Sequence, residues 1–370
     1  MATLSESSGS VKPVTTQEEL RSEAAVTRDG ARSGRETGRL RRGESIFGWF
    51  FVSPAVAILV IFTVIPIFLA LYVSFTNWSG LTSPFSHSVQ LVGLTNYRTL
   101  MTTPGLYQTD FATSIRDNLY FFVIVVPLQT ALALWLATLV NNKYLRGKGF
   151  FRTAFYFPSV TSSIAITMVF IFLFQGDGVV NTVLGWVGVK GPNWVYDQSG
   201  LFTNILNALG VHDAGWANHQ FIGLSLWDWI AGPSVGMCVI IILLIWTTSG
   251  TFMLFFLASM QGIGEDVDEA TAVDGATPWE RFRFVTLPLL RPALALVVTL
   301  GFISTWQVFD QITLTALANP TTITPAYFAY QVSFLDSAFG QGAAVAFLLF
   351  CLIIFLTAVQ RRFIKEDLTT

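Results

Sequence analysis

Six long apolar stretches follow one another along the chain, at about 47–76, 119–140, 153–175, 234–260, 289–311 and 340–359. Each is long enough to cross a hydrocarbon core of about 30 Å as a helix, which takes about 20 residues. Within them only Arg291 and Asp310 are charged, each near an end of the fifth. This pattern predicts an all-α integral membrane protein with six transmembrane helices. The first stretch is too long for the apolar segment of a cleaved leader, and no small-residue cleavage site follows it at the expected distance. Residues 1–45 carry no large apolar cluster and are rich in Ser, Thr, Glu, Arg and Gly, so they predict a disordered tail ahead of a membrane domain at 46–370.

Lysine and arginine set the orientation, because they accumulate on the cytoplasmic side of spans. With a cytoplasmic N-terminus and six alternating spans, 18 of the 21 fall inside, and only Arg98, Arg116 and Lys190 fall outside. Both termini are therefore expected in the cytoplasm. The outer loops are then 77–118, 176–233 and 312–339. The second holds Trp186, Trp194, Trp216, Trp227 and Trp229, read either as an interfacial aromatic belt or as a docking surface for a soluble partner. Within it, 221–231 (FIGLSLWDWIA) is expected to lie on the membrane as an extra helix.

Composition sharpens the class. Only 12% of residues are charged and the mean hydropathy is +0.58, against about 25% charged in soluble domains. Of the 44 charges, 15 sit in residues 1–45. The net charge of −2 provides no basic field for nucleic acid. Cys238 and Cys351 lie in apolar runs and read as small packing residues. His87, His212 and His219 fall in outer loops without metal-ligand spacing, and HExxH is absent, which argues against an intramembrane enzyme. Span interiors nearly free of charge argue against an ion-coupled carrier.

The most informative stretch is 260–292, MQGIGEDVDEATAVDGATPWERFRFVTLPLLRP, on the basic side between the fourth and fifth spans. Gly264 can open a helix with Glu265, Asp266 and Asp268 in its first turn, where acids complement the dipole. Val267, Ala270 and Thr271 share one face. Gly275 is a natural stop. Thr277-Pro278-Trp279-Glu280 then forms a capping box with proline at the first helical position. A second short helix carries Trp279, Phe282 and Val285 until Leu287-Pro288 interrupts it. Large apolar groups on such a helix pair, Phe284 included, imply a partner surface.

Glu269-Ala270-Thr271, three residues, Gly275, nine residues, Val285, one residue and Leu287-Pro288 resemble the EAA loop of ABC importer permeases. Thr271 stands for the usual Ala and Val285 for Ile. Asp274-Gly275-Ala276 and Pro288–Pro292 are similar to the carbohydrate-uptake branch, in particular the first permease subunit of maltose-type systems. The resemblance covers about 46–363, including Gly93–Tyr97, Arg152-Thr153-Ala154 and Thr324–Ala346. It departs at Ala318-Asn319-Pro320, where many relatives have Gly-Gly-Pro.

The resemblance implies an importer permease without a catalytic or metal site, in the plasma (inner) membrane of a prokaryote. Its loop at 260–288 would couple to a cytoplasmic ATPase through Glu269, Ala270, Asp274, Gly275, Phe282 and Pro288. Partners would be a second permease, two ATPase copies, an extracellular solute-binding protein and a sugar, di- or oligosaccharide, or else a non-sugar solute. The chain has no Walker A sequence, since Gly147-Lys148-Gly149 lacks the upstream glycine and the Ser/Thr. ATP and magnesium are therefore expected on the partner ATPase, with no cofactor on this chain. A substrate path near mid-membrane is lined by polar and aromatic groups. The candidates are Trp246, Thr247, Thr248, Ser304 and Gln307, of which Trp246, Ser304 and Gln307 correspond most nearly to the maltose permease's sugar-lining positions. Asp310 is expected at the outer interface.

Overall fold

A computed structural model describes residues 48–142, 144–210, 219–316 and 319–363. The predicted tail 1–45, together with His212, Trp216 and Ala318, lies outside the described residues. The chain divides into two compact units, with the boundary after Leu69. In the first, the described residues 48–69 belong to the apolar helix α1, Gly48–Ser74. A π-turn at Val60–Val64 precedes Pro66 in this helix, so the wider turn falls where a proline N–H is missing from the ladder.

Among the described residues of the second unit, the regular elements are helices and one small hairpin, joined by loops. Its helices are α2 (Thr95–Met101), α3 (Leu106–Asn141), α4 (Lys148–Val160), α5 (Ser163–Leu173), α6 (Val179–Trp186), α7 (Leu201–Ala208), α8 (Leu226–Ile230) and α9 (Val235–Gln261). These are followed by α10 (Glu265–Val273), α11 (Pro278–Arg281), a π-turn at Phe282–Thr286, α12 (Leu287–Leu289), α13 (Arg291–Trp306), α14 (Asp310–Thr315), α15 (Pro325–Tyr330) and α16 (Phe339–Phe363).

Among the described residues, α1, α3, α9, α16 and the α13–α14 stretch Arg291–Thr315 taken together are long and apolar enough to cross a membrane. The third predicted span is not one straight helix: α4 and α5 meet at 94°. The break falls at Thr161 and Ser162, both with extended ψ. Pro158 has removed one backbone donor there, and the hydroxyls of 161–163 offer the backbone competing hydrogen bonds. The predicted helix at 221–231 is also corrected. Strands β1 (Gln220–Phe221) and β2 (Leu224–Ser225) pair antiparallel around Ile222 and Gly223, both at positive φ, and only five residues of helix follow. Two positive-φ residues in a two-residue loop suit the right-handed twist of a hairpin, and Gly223 meets one of them without strain.

The core is the packing of α3, α9 and α13. One cluster joins Ala133 and Ala137 of α3 to Met253 and Phe256 of α9 and Val297 of α13. Another joins Phe121 and Val125 to Met237, Ile240 and Ile312. Lipid is as apolar as leucine, so such contacts gain little from leaving water; close approach at small residues and interhelical hydrogen bonds hold the bundle instead. Gly250 lies against the Phe155 carbonyl of α4, and Gly301 lies against the Gln129 amide of α3. The Ser159 hydroxyl donates to the Thr247 carbonyl at 2.6 Å, and the Thr248 hydroxyl to Gln129 Oε1 at 2.5 Å. Each such bond contributes about 0.6–2 kcal/mol.

Candidate functional site

The segment between α9 and α13 folds as two short helices joined by a tight turn. Helix α10 ends in a Schellman motif: Ala276 N–H donates to the Thr271 carbonyl at 3.1 Å and Gly275 N–H to the Ala272 carbonyl at 3.2 Å. This closure needs the left-handed φ of +72° at Gly275. Helix α11 starts at once with a full capping box. Thr277 N–H and hydroxyl donate to Glu280 Oε2 at 2.8 and 2.7 Å, and the Thr277 hydroxyl accepts Glu280 N–H at 3.3 Å. The Thr277 hydroxyl, and after it the Thr277 N–H, holds the Glu280 carboxyl below the usual glutamate range.

The expected interruption at Leu287-Pro288 does not occur. The chain stays helical through Leu289, because a π-turn at Phe282–Thr286 lets Leu287 N–H reach the Phe282 carbonyl just ahead of Pro288, which has no N–H. Phe282 and Pro288 are half-buried, whereas Glu269, Ala270, Asp274 and Gly275 are exposed. Phe282 stacks on Trp279, with centroids 5.8 Å apart, and lines a cavity of about 190 Å³ together with Val267 and the end of α3. The exposed apolar surface is Val273, Trp279 and Phe284, at 87%, 65% and 68% exposure. Val273 was not among the sequence candidates, although an apolar side chain in the turn before Gly275 marks it. Glu269 opens onto a cleft shared with Asn142, Tyr144 and Arg281.

A second feature lies between α4, α5, α9 and α13. It is a cavity of about 490 Å³ whose walls include Thr247, Thr248, Ser304 and Gln307. Leu244, Thr247, Thr248 and Thr251 form one arc of α9, and Leu300, Ile303 and Ser304 the matching arc of α13, with Gln307 just past its end. Trp246 lies outside the α9 arc; it is not among the cavity walls and packs on Phe170 at 5.6 Å. Two helix breaks meet at this cavity. One is the α4–α5 bend. The other follows α13, where Gln307, Val308 and Phe309 leave the helix before α14 resumes at Asp310. Gln311 Nε2 ties the breaks together by donating to Ser163 Oγ at 3.0 Å. Ser159, Thr161, Ser163 and Gln311 are further polar walls. Their signal in the sequence is a Pro-Ser and Thr-Ser-Ser run inside an apolar span, and a second glutamine four residues after Gln307. No wall residue is charged.

A bundle of apolar spans with an open cavity that carries hydroxyls and glutamines among apolar walls at paired helix breaks, and a helix pair between two spans, fits a membrane transport component. The chain belongs to the family of binding-protein-dependent transport system inner membrane components, which matches residues 129–365. Among its relatives is the lactose transport system permease protein LacF of Rhizobium radiobacter, 29% identical over 326 residues, covering 87% of this chain and 95% of that one. The trehalose/maltose transport system permease protein MalF of Thermococcus litoralis is 26% identical over 327 residues, covering 87% and 95%. In structure the chain is similar to a bacterial ABC transporter involved in the import of the acidic polysaccharide alginate. The TM-score is 0.67 at 17% identity, covering 90% of this chain and 100% of that chain.

Proposed function

We propose that this chain is the permease subunit of an ATP-driven importer for a neutral di- or oligosaccharide, in the plasma membrane of a prokaryote. The observation that carries the reading is the uncharged cavity at the two helix breaks. The Gln307 amide can both donate to and accept from sugar hydroxyls, and the wall hydroxyls, whose protons go to chain carbonyls and Gln129, keep lone pairs to accept from them. Thr247, Thr248, Ser304 and Gln307 contact the sugar, whereas Trp246 packs on Phe170 of α5, away from the cavity walls. Relatives named for lactose and for trehalose and maltose support the sugar class. The lack of cationic walls separates this cavity from what a uronate polymer would require.

The helix pair is the ATPase coupling element. Glu269 and Asp274 offer carboxylates, Val273 and Trp279 offer apolar contact, and Gly275 sets the angle between the helices. Phe282 and Pro288 seat the pair against the bundle. The distribution of Lys and Arg along the sequence supports a cytoplasmic position for this pair and for both termini. Two ATPase subunits bind ATP and magnesium, a second permease completes the path, and an extracellular binding protein delivers the sugar.

The test is uptake of radiolabelled maltose, lactose and trehalose into proteoliposomes holding the assembled complex, its binding protein and internal ATP. Accumulation of at least one sugar supports the reading; accumulation of none contradicts it.

A further inference from the structure

A second polar cavity, of about 500 Å³, lies toward the opposite end of α3 from the helix pair. From Asp117 to Thr138 the helix rises about 30 Å, roughly one hydrocarbon thickness. The walls come from α3, the residues around α7, the hairpin with α8, and segment 320–323. Unlike the neutral cavity, it is charged: Asp110, Arg116, Asp117 and Asp228 all line it.

Arg116 donates to Asp117 Oδ1 through Nε at 3.0 Å and Nη2 at 2.8 Å, and Nη1 donates to the Asp228 carbonyl at 3.4 Å. Asp117 is 2% exposed, and its Oδ2 accepts Ile323 N–H at 3.1 Å. Burying such a pair gives little net stability, so the pair calls for another reason to be here. Three of the five guanidinium N–H groups are used, leaving two. Asp110, Thr113, Gln198 and Trp227 also line the cavity, and their side chains make no hydrogen bond to the described chain.

We propose that this cavity is a second saccharide site, an outer vestibule that holds a neutral sugar before it reaches the cavity at the helix breaks. The proposal rests on the importer reading and its orientation. A free carboxylate accepts two hydroxyls of a vicinal diol, and a guanidinium edge donates to sugar oxygens. Such charge-assisted bonds are strong enough to compete with water. Trp227 offers an aromatic surface to the sugar's CH groups, and the volume falls within the range of small-ligand sites. The vestibule also adjoins the path: Ile323 bonds Asp117, and the next residue, Thr324, donates from its hydroxyl to the Val308 carbonyl at 2.6 Å, beside Gln307.

The test uses the assembled complex in nanodiscs without binding protein, with maltose, lactose and trehalose as probes in saturation-transfer NMR. Gln307→Ala serves as the background, so that the inner cavity contributes least. Asp110→Asn with Thr113→Val removes rim groups and spares the Arg116–Asp117 pair. The vestibule predicts saturation transfer in the background and about tenfold weaker apparent affinity in the rim variant, as for loss of a charge-assisted bond. An unchanged affinity overturns it. If, in a separate pull-down, the rim variant loses binding-protein association while its sugar affinity is unchanged, that also overturns the vestibule and assigns the cavity to protein docking. Uptake intact but no saturation transfer sinks the vestibule alone, whereas absence of both for all three sugars sinks the importer reading with it.

Discussion

Gly275 carries a φ of +72° with open space where a Cβ would stand. Gly275→Val therefore meets no clash within the chain, but it forces a β-branched residue into the left-handed region at a cost of about 1 kcal/mol or more. Together with Glu269→Lys, which reverses an exposed charge, it should leave the protein inserted and reduce co-purification of the ATPase. Full association in both variants would remove this turn from the coupling surface. Gln307 lies outside regular helix, so Gln307→Ala removes an amide without disturbing a ladder. The expected result is about a tenfold rise in the KM for uptake, the equivalent of one well-made hydrogen bond, with assembly unchanged; an unaltered KM would exclude Gln307 from the path. The capping box has its own pH signature. Because the folded Glu280 carboxyl titrates below the ordinary glutamate value, its contribution is present above that value and is lost as pH falls through the lowered one. Amide exchange at 279–281 should therefore rise only in the acid range, and should rise at neutral pH in Thr277→Ala, which costs about 1 kcal/mol.

At the scale of elements, glycines set how closely the helices approach. A Cβ at Gly250 would collide with the Phe155 carbonyl and crowd the Ser159 hydroxyl, and one at Gly301 would strike the Gln129 amide. Gly250→Val should destabilise the bundle by about 1–3 kcal/mol, seen as an earlier thermal unfolding in detergent; unchanged unfolding would mean that α4 does not depend on this contact. The helix pair at 265–281 is legible in the sequence, because acids, a glycine stop and a capping box state both ends locally. The break in the third span is not, because apolar counting sums hydropathy over 153–175 and passes over a local competition among Thr161, Ser162 and Ser163 for backbone partners. The hairpin at 220–225 was hidden for a related reason. Phe221, Leu224 and Trp227 fit a helical stripe, and only the pairing of Gln220 with Ser225 decides for strand. Trp246 has the chemistry of a sugar-facing wall, but the cavity takes one arc of α9, and position 246 lies off the arc of 244, 247, 248 and 251.

For the whole molecule, the account requires one orientation: reporters fused after residues 45, 150, 275 and 365 should all read cytoplasm, and an outside signal from any of them would break it. In that frame the neutral cavity and the helix pair sit at different depths of one bundle, joined by α9 and α13, whose arcs line the cavity and whose ends bracket the pair. On the proposed reading, these two helices are the mechanical link between ATP hydrolysis on a partner subunit and access to the cavity. The most direct test of that link is the number of sugar molecules accumulated per ATP hydrolysed in proteoliposomes, with binding protein present, for the unaltered complex and for Gly275→Val. The account predicts stoichiometric, sugar-stimulated accumulation in the first and hydrolysis without accumulation, or neither, in the second. Equal accumulation per ATP in both would contradict it.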